Sequence, residues 1–221
     1  MNLNSSKRKI ISSLGFYGSL IQTIVGVVYF IVISTLFITG NNTMPPSENI
    51  QLFGAIVTII MAPLLLIMIT AIHYVTSQDK KILSHLAIIF CTIFAALVSI
   101  NRFVQLIVVR VSVLAGDLEG LKRFYPYETG SAMLALEYTG WGIFLSLALL
   151  SLAFVFSSDR LQRSIQIFLF LYAILGIAGS IAFIANSPLW MIGMAAWGFI
   201  LPIATGLLSV FFFKIRQTII K

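Results

Sequence analysis

Arg102 and Glu137 each interrupt a long apolar stretch in a chain where charge is scarce. A charged side chain at the centre of a bilayer-spanning helix costs about 2.5–3.5 kcal/mol on insertion scales, so each needs a partner or water. Arg102 falls nineteen residues after Leu83, and Glu137 nineteen residues before Phe156. On antiparallel helices sharing one membrane face, both charges then stand at one depth, about 28 Å from that face at 1.5 Å per residue. An ion pair is expected there. His85, Thr92, Ser99 and Arg102, with Ala95 and Ala96 between them and Gln105 a turn further, trace a helical stripe of small and polar side chains. That stripe is expected to point at protein. Asn101 is one position off it, within reach of a neighbouring helix or of the same pocket. Gly140 and Trp141 follow Glu137 on its own face, a close-approach glycine and a large amphipathic ring. Asn101, Arg102, Gln105, Glu137 and Trp141 are therefore the candidate ligand-binding residues. Arg110, two turns beyond Arg102, reads as interfacial; with Arg102 it would form a basic mouth for an anionic ligand.

Other chemistry is thin. His73 and His85 flank the Thr76–Lys81 turn at matching distances, so the two rings are expected to approach one another, but two histidines without further ligands make no metal site. The single cysteine, Cys91, rules out an intrachain disulfide or a Cys-based zinc site and reads as lipid-facing or packing sulfur. No HExxH, GxSxG, Walker loop or GxGxxG is present, and no pair of intramembrane aspartates. Ser84 and His85 are adjacent and so point to different helix faces, which does not make a nucleophile and base. No cofactor and no metal are expected.

The elements that position these residues follow from composition. The chain has 221 residues, 59% hydrophobic and 10% charged, against roughly 45–50% and about 25% in soluble domains. A single domain of this size cannot bury that surplus in water, so the solvent is lipid. Apolar stretches of about 20 residues, the length that crosses some 30 Å of hydrocarbon, occur at 14–38, 50–75, 83–110, 132–156, 164–186 and 190–213. The expectation is an all-α bundle of six transmembrane helices forming one membrane domain in the cell membrane. The first stretch follows basic Lys7–Lys9 but ends in Gly40-Asn41-Asn42-Thr43 with no small-x-small cleavage site, so it reads as a retained span. Ten of the fourteen basic residues lie in Lys7/Arg8/Lys9, Lys80/Lys81, Arg160/Arg163 and Lys214/Arg216/Lys221. Their alternation puts both termini in the cytoplasm by the positive-inside rule. This accounts for the +7 net charge without nucleic acid. Trp190, Tyr125 and Tyr127 fall at the outer boundary, Tyr17 and Tyr74 at the inner one.

Asn41-Asn42-Thr43 is formally a glycosylation sequon. In the outer loop 115–130 the spacing of Leu118, Leu121 and Phe124, with Gly116, Gly120 and Pro126, suits a short interfacial helix, either a plain connector or a cover for an outward cavity. Pro63 and Pro202 should kink their spans or free a carbonyl. Gly198, Pro202 and Gly206, like Ala173, Gly176 and Ser180, form small-residue faces suited to close helix packing.

The strings Asn101-Arg102-Phe103-Val104-Gln105 and Ala135-Leu136-Glu137-Tyr138-Thr139-Gly140-Trp141, in a six-span chain of this size, resemble a group of prokaryotic membrane proteins classified only as a domain of unknown function. That resemblance implies the layout and no activity. The layout is also similar to the substrate-binding components of energy-coupling-factor vitamin transporters, with six spans and both termini inside. Their first span carries an alanine-spaced docking face, where this chain has Gly15, Gly18, Ser19 and Gly26. Two function classes stand open. One is binding or transport of a small molecule, ion or anionic ligand at the polar site between spans 3 and 4. The other is a non-catalytic assembly or sensor subunit, in which Arg102 and Glu137 only lock helices and the small-residue faces of spans 5 and 6 meet a membrane partner or a second copy. An intramembrane enzyme comes third and would need Glu137 to meet a histidine or a metal.

Overall fold

The structure is a computed structural model, and it describes residues 5–39, 47–117, 119–125 and 130–220. The sequon and Leu118, Pro126 and Tyr127 lie outside the described residues. Six helices are long and apolar enough to cross a membrane, and among the described residues there is no strand. They are α1 (Ser5–Ile38) and α2 (Glu48–Val75), followed by α3 (Gln78–Ala115), α4 (Ala132–Ala153), α5 (Arg160–Ile184) and α6 (Pro188–Thr218). Each helix packs on the next in sequence, and α1 packs on α6, so the bundle closes into a ring. The interior is filled from α2 to α6 by Leu65, Met68, Phe94, Leu145, Leu149, Tyr172 and Phe212.

Lipid tails are as apolar as leucine, so close backbone approach must bring these helices together. On α1, Gly15 backs onto the Phe212 ring and Gly26 onto Pro202 of α6, while Thr23 Oγ1 donates to Thr205 Oγ1 at 2.9 Å. Gly142 and Ser146 of α4 meet Gly176 and Ser180 of α5. A Cβ added at Gly179 would stand 2.6 Å from the Gly193 backbone nitrogen, so α5 and α6 touch backbone to backbone. The small-residue faces of spans 5 and 6 are thus used inside the chain: Gly176 and Ser180 face α4, and Gly198, Pro202 and Gly206 face α1.

Three spans contain a π-turn: Gln105–Val109 in α3, Tyr138–Phe144 in α4 and Ala196–Ile200 in α6. A π-turn inserts a residue and re-phases the side chains around it. In the 115–130 loop, Gly116, Gly120 and Gly130 take positive φ, and among the described residues a 3₁₀ turn over Leu121–Phe124 stands where an interfacial helix is expected. Leu121 pins it by packing with Val109 and Met133.

The stripe expected on span 3 is corrected by one position. Ser84, Ala87, Cys91, Phe94, Val98, Asn101, Arg102, Gln105 and Val109 face inward, while His85, Thr92 and Ala96 are exposed and Ser99 is half-buried. The reason is local. Thr92 returns its hydroxyl to the Ile88 carbonyl at 2.8 Å, so its polarity is satisfied within the helix and needs no protein neighbour. The large side chains Phe94 and Val98 set the packed face, and Cys91 packs in the core rather than facing lipid.

Candidate functional site

Glu137 is the last residue before the π-turn of α4, and Arg102 stands three residues before that of α3. Both are buried, 5% and 4% exposed. Arg102 Nη2 lies 3.1 Å from Glu137 Oε2, and Asn101 Nδ2 donates to Glu137 Oε1 at 2.6 Å and to the Met133 carbonyl at 3.1 Å. Each carboxylate oxygen therefore has its own donor, which a buried ion pair needs if its attraction is to offset its desolvation. Arg102 Nη1 donates to Gln105 Oε1 at 2.7 Å, and Gln105 Nε2 reaches Gln51 Oε1 of α2 at 3.5 Å. One chain of polar contacts thus runs from α2 through α3 to α4.

Gln105 is also part of a surface cleft. About 470 Å³ of space, counted out to an open mouth, is lined by Glu48, Gln51 and Leu52 of α2 and Gln105, Leu106, Arg110 and Val113 of α3. Arg110 Nε and Glu48 Oε1 pair at 2.9 Å on its rim, both part-exposed. Arg110 is therefore tied to α2 rather than joined with Arg102 in a basic mouth. Behind the site, Asn101 Oδ1 is buried without a partner among the described residues.

Of the five predicted binding residues, Asn101, Arg102, Gln105 and Glu137 form this network. Trp141 lies a turn further along α4 in an aromatic cluster: its ring is 4.7 Å from Phe94 and 6.2 Å from Trp197, and its carbonyl accepts from Tyr172. Tyr138 extends the cluster, stacked on Phe183 at 4.6 Å and donating its hydroxyl to the Trp190 carbonyl.

Glu48 and Gln51 were not singled out, because with Asn49 they stand in the first turn of α2, where polar residues at a span end are ordinary and mark no site. Gln22 was missed as well. It is 1% exposed in the middle of α1, and neither atom of its amide has a partner among the described residues. A lone amide inside the apolar run from Leu20 to Val32 is the signal that would have found it.

At the end of the bundle where the chain begins and finishes, the His73 and His85 rings stand 6.0 Å apart. His73 Nδ1 contacts Ser84 Oγ at 2.8 Å, a pairing not foreseen. Ser84 is fully buried, so its oxygen has no room for a substrate carbonyl. Glu137 lies in the opposite half of the molecule. Among the described residues no group of three or more His, Cys, Asp or Glu is placed to hold a metal ion. Compared with protein-family models, curated proteins and solved structures, the chain matches none, and the functional reading rests on its own geometry.

Proposed function

We propose that the chain is a cell-membrane protein that binds, and carries across the bilayer, a small polar or ionic molecule admitted through the cleft between α2 and α3 to the Arg102–Glu137 site. The observation that carries this reading is the double position of Gln105. Its side chain lines the open cleft and also accepts a hydrogen bond from Arg102. An anion entering there replaces the Gln105 carbonyl as the partner of Nη1 while Glu137 keeps Nη2, so the guanidinium stays paired on both terminal nitrogens, and the surplus negative charge enters with a proton or a cation. A cation or donor would find Asn101 Oδ1 and Glu137 on the other side of the pair. Both termini in the cytoplasm, as the basic clusters suggest, would make the cleft open outward. The π-turns beside Gln105 and Glu137 support the same reading, since such turns are frequent at functional sites. The assembly-subunit alternative is weakened because spans 5 and 6 spend their small-residue faces on helices of the same chain.

Thiol accessibility tests the cleft. In a Cys91→Ala background, Gln51→Cys and Gln105→Cys should react with a membrane-impermeant charged methanethiosulfonate added from one side. Ile107→Cys, 55% exposed on the lipid side of the same π-turn, should not. Phosphate, small carboxylates and small amines would then be screened for thermal stabilisation that is lost in Gln105→Leu. Silence at 51 and 105 from both membrane faces would remove the cleft and the reading with it.

A further inference from the structure

Basic side chains gather where α1 begins and α6 finishes. Lys7, Arg8 and Lys9 are exposed in the first turns of α1, and near the end of α6 Lys214 is exposed and Arg216 half-buried. The two helices run antiparallel in a fixed register. Gly15 backs onto Phe212, and the Phe16 and Phe213 rings are 5.9 Å apart. Counting on from these contacts brings Arg216 level with Ser12, with Arg8 and Lys9 about one turn beyond.

Neither helix contains an acid: the first acidic residue of the chain is Glu48 and the last is Asp159. Lys80 and Lys81 lie at the same end but are already used. Lys80 Nζ donates to the Val155 carbonyl at 3.1 Å and to Ser157 Oγ at 2.8 Å, and Lys81 Nζ donates to the His73 carbonyl. The five cations of α1 and α6 have no such arrangement with an acid of their own helices, and their mutual repulsion favours an external anion.

Arg216 is the ordered member. Its guanidinium carbon sits 5.0 Å over the Phe16 ring centroid and 5.2 Å over that of Tyr17. Contact with two rings, themselves inclined at 69°, holds the guanidinium in place, and a guanidinium so held suits a phosphate bound by two N–H groups. The floor of this site is apolar. Tyr17, Leu14 and Phe213 are about half exposed, so the cations continue directly into surface that lipid chains cover.

A ligand matching both parts carries an anionic phosphate and an acyl tail. We propose that the cluster of Arg8, Lys9, Lys214 and Arg216 is a binding site for the phosphate headgroup of an anionic phospholipid. Arg216 grips the phosphate, the lysines and Arg8 supply further countercharge, and the acyl chains run along Leu14, Tyr17 and Phe213. A soluble polyanion would satisfy the charges and leave the apolar floor unmatched.

The test is native mass spectrometry of the detergent-purified full chain mixed with phosphatidylglycerol or phosphatidylcholine, with thermal melting in parallel. Phosphatidylglycerol should be retained and raise the melting temperature, and phosphatidylcholine should do neither. Each neutralised cation near the headgroup plane should lower retention about fivefold, so Arg216→Gln with Lys9→Gln should lower it by about 25-fold. Lys122→Gln, at the opposite end, should change nothing, and Arg216→Lys should fall between wild type and Arg216→Gln. If Arg216→Gln does not fold, Arg8→Gln with Lys9→Gln, both on the exposed start of α1, carries the same expectation. Equal retention of the two lipids, unchanged retention in the double variant, or equal stabilisation by soluble tripolyphosphate would each overturn the lipid site.

Discussion

At the scale of single residues, polar groups inside lipid have one requirement, a partner, and the chain meets it at one place and leaves it open at another. Glu137 has a donor on each oxygen and Arg102 has acceptors on both terminal nitrogens. Glu137→Gln leaves the guanidinium without its counter-ion, and the expected loss is about 3–5 kcal/mol, read by denaturant unfolding in detergent. Removing both charges in Arg102→Met with Glu137→Leu should recover much of that loss, and simple additivity of the single effects would reject the pairing. Gln22 is the opposite case, because its buried amide has no partner among the described residues. An unmade hydrogen bond of this kind costs about 1–3 kcal/mol, so Gln22→Leu should raise the melting temperature. A lower one would show that a bound water or ligand satisfies the amide in the membrane. Equal depth on two antiparallel spans made Arg102 and Glu137 readable from the sequence. Nothing of that kind marked Gln51, whose role depends on where α2 lies against α3.

At the scale of elements, the presence of six spans was legible because lipid thickness sets a minimum apolar length. Their ends were not all so, since α1 starts at Ser5 rather than 14 and α3 runs over Gln78–Ala115 rather than 83–110, and helix rotation was not legible either. Polarity was used to choose the inner face of α3, and the choice missed by one position. The hydroxyl of Thr92 bonds within its own helix, whereas the bulk of Phe94 and Val98 governs packing. The π-turns were equally hidden, since no residue type encodes them and they shift the phase of every side chain that follows. Glycines decide how closely elements meet, and they are not equivalent. A Cβ at Gly179 would lie 2.6 and 2.7 Å from backbone atoms of Gly193, which cannot swing aside, while one at Gly206 would lie 3.5 Å from a Thr23 methyl. Gly179→Ala should therefore cost about 1–3 kcal/mol by forcing α5 and α6 apart. Gly206→Ala should be neutral or stabilising by up to about 1 kcal/mol through helix propensity. Thermal melting of both variants checks this, and an equal loss in both would mean that the α5–α6 contact is looser than described.

At the scale of the whole molecule, closing α1 onto α6 turns six sequential antiparallel spans into a ring and brings the start of α1 and the finish of α6 to one end of it. The Thr76–Lys81 and Ser157–Arg163 turns join them there, and Lys80 bridges the two turns through Val155 and Ser157. Nine of the chain's fourteen basic residues, counted among the described residues, therefore belong to one membrane face, and the loops at the opposite end carry only Lys122 and Arg123. Lys and Arg near span ends resist translocation, so a difference this large should set a single orientation with that face in the cytoplasm. A fluorescent or enzymatic reporter that works only in the cytoplasm should be active when fused to either terminus, and silent when inserted after Glu119. Opposite signals from the two termini would contradict the α1–α6 pairing itself, because helices that pack antiparallel along their length cannot leave their outer ends on different sides. Active signal from the loop alone would keep the ring and invert it. The cleft at Gln105 would then face the cytoplasm, and the proposed ligand would have to be sought on that side.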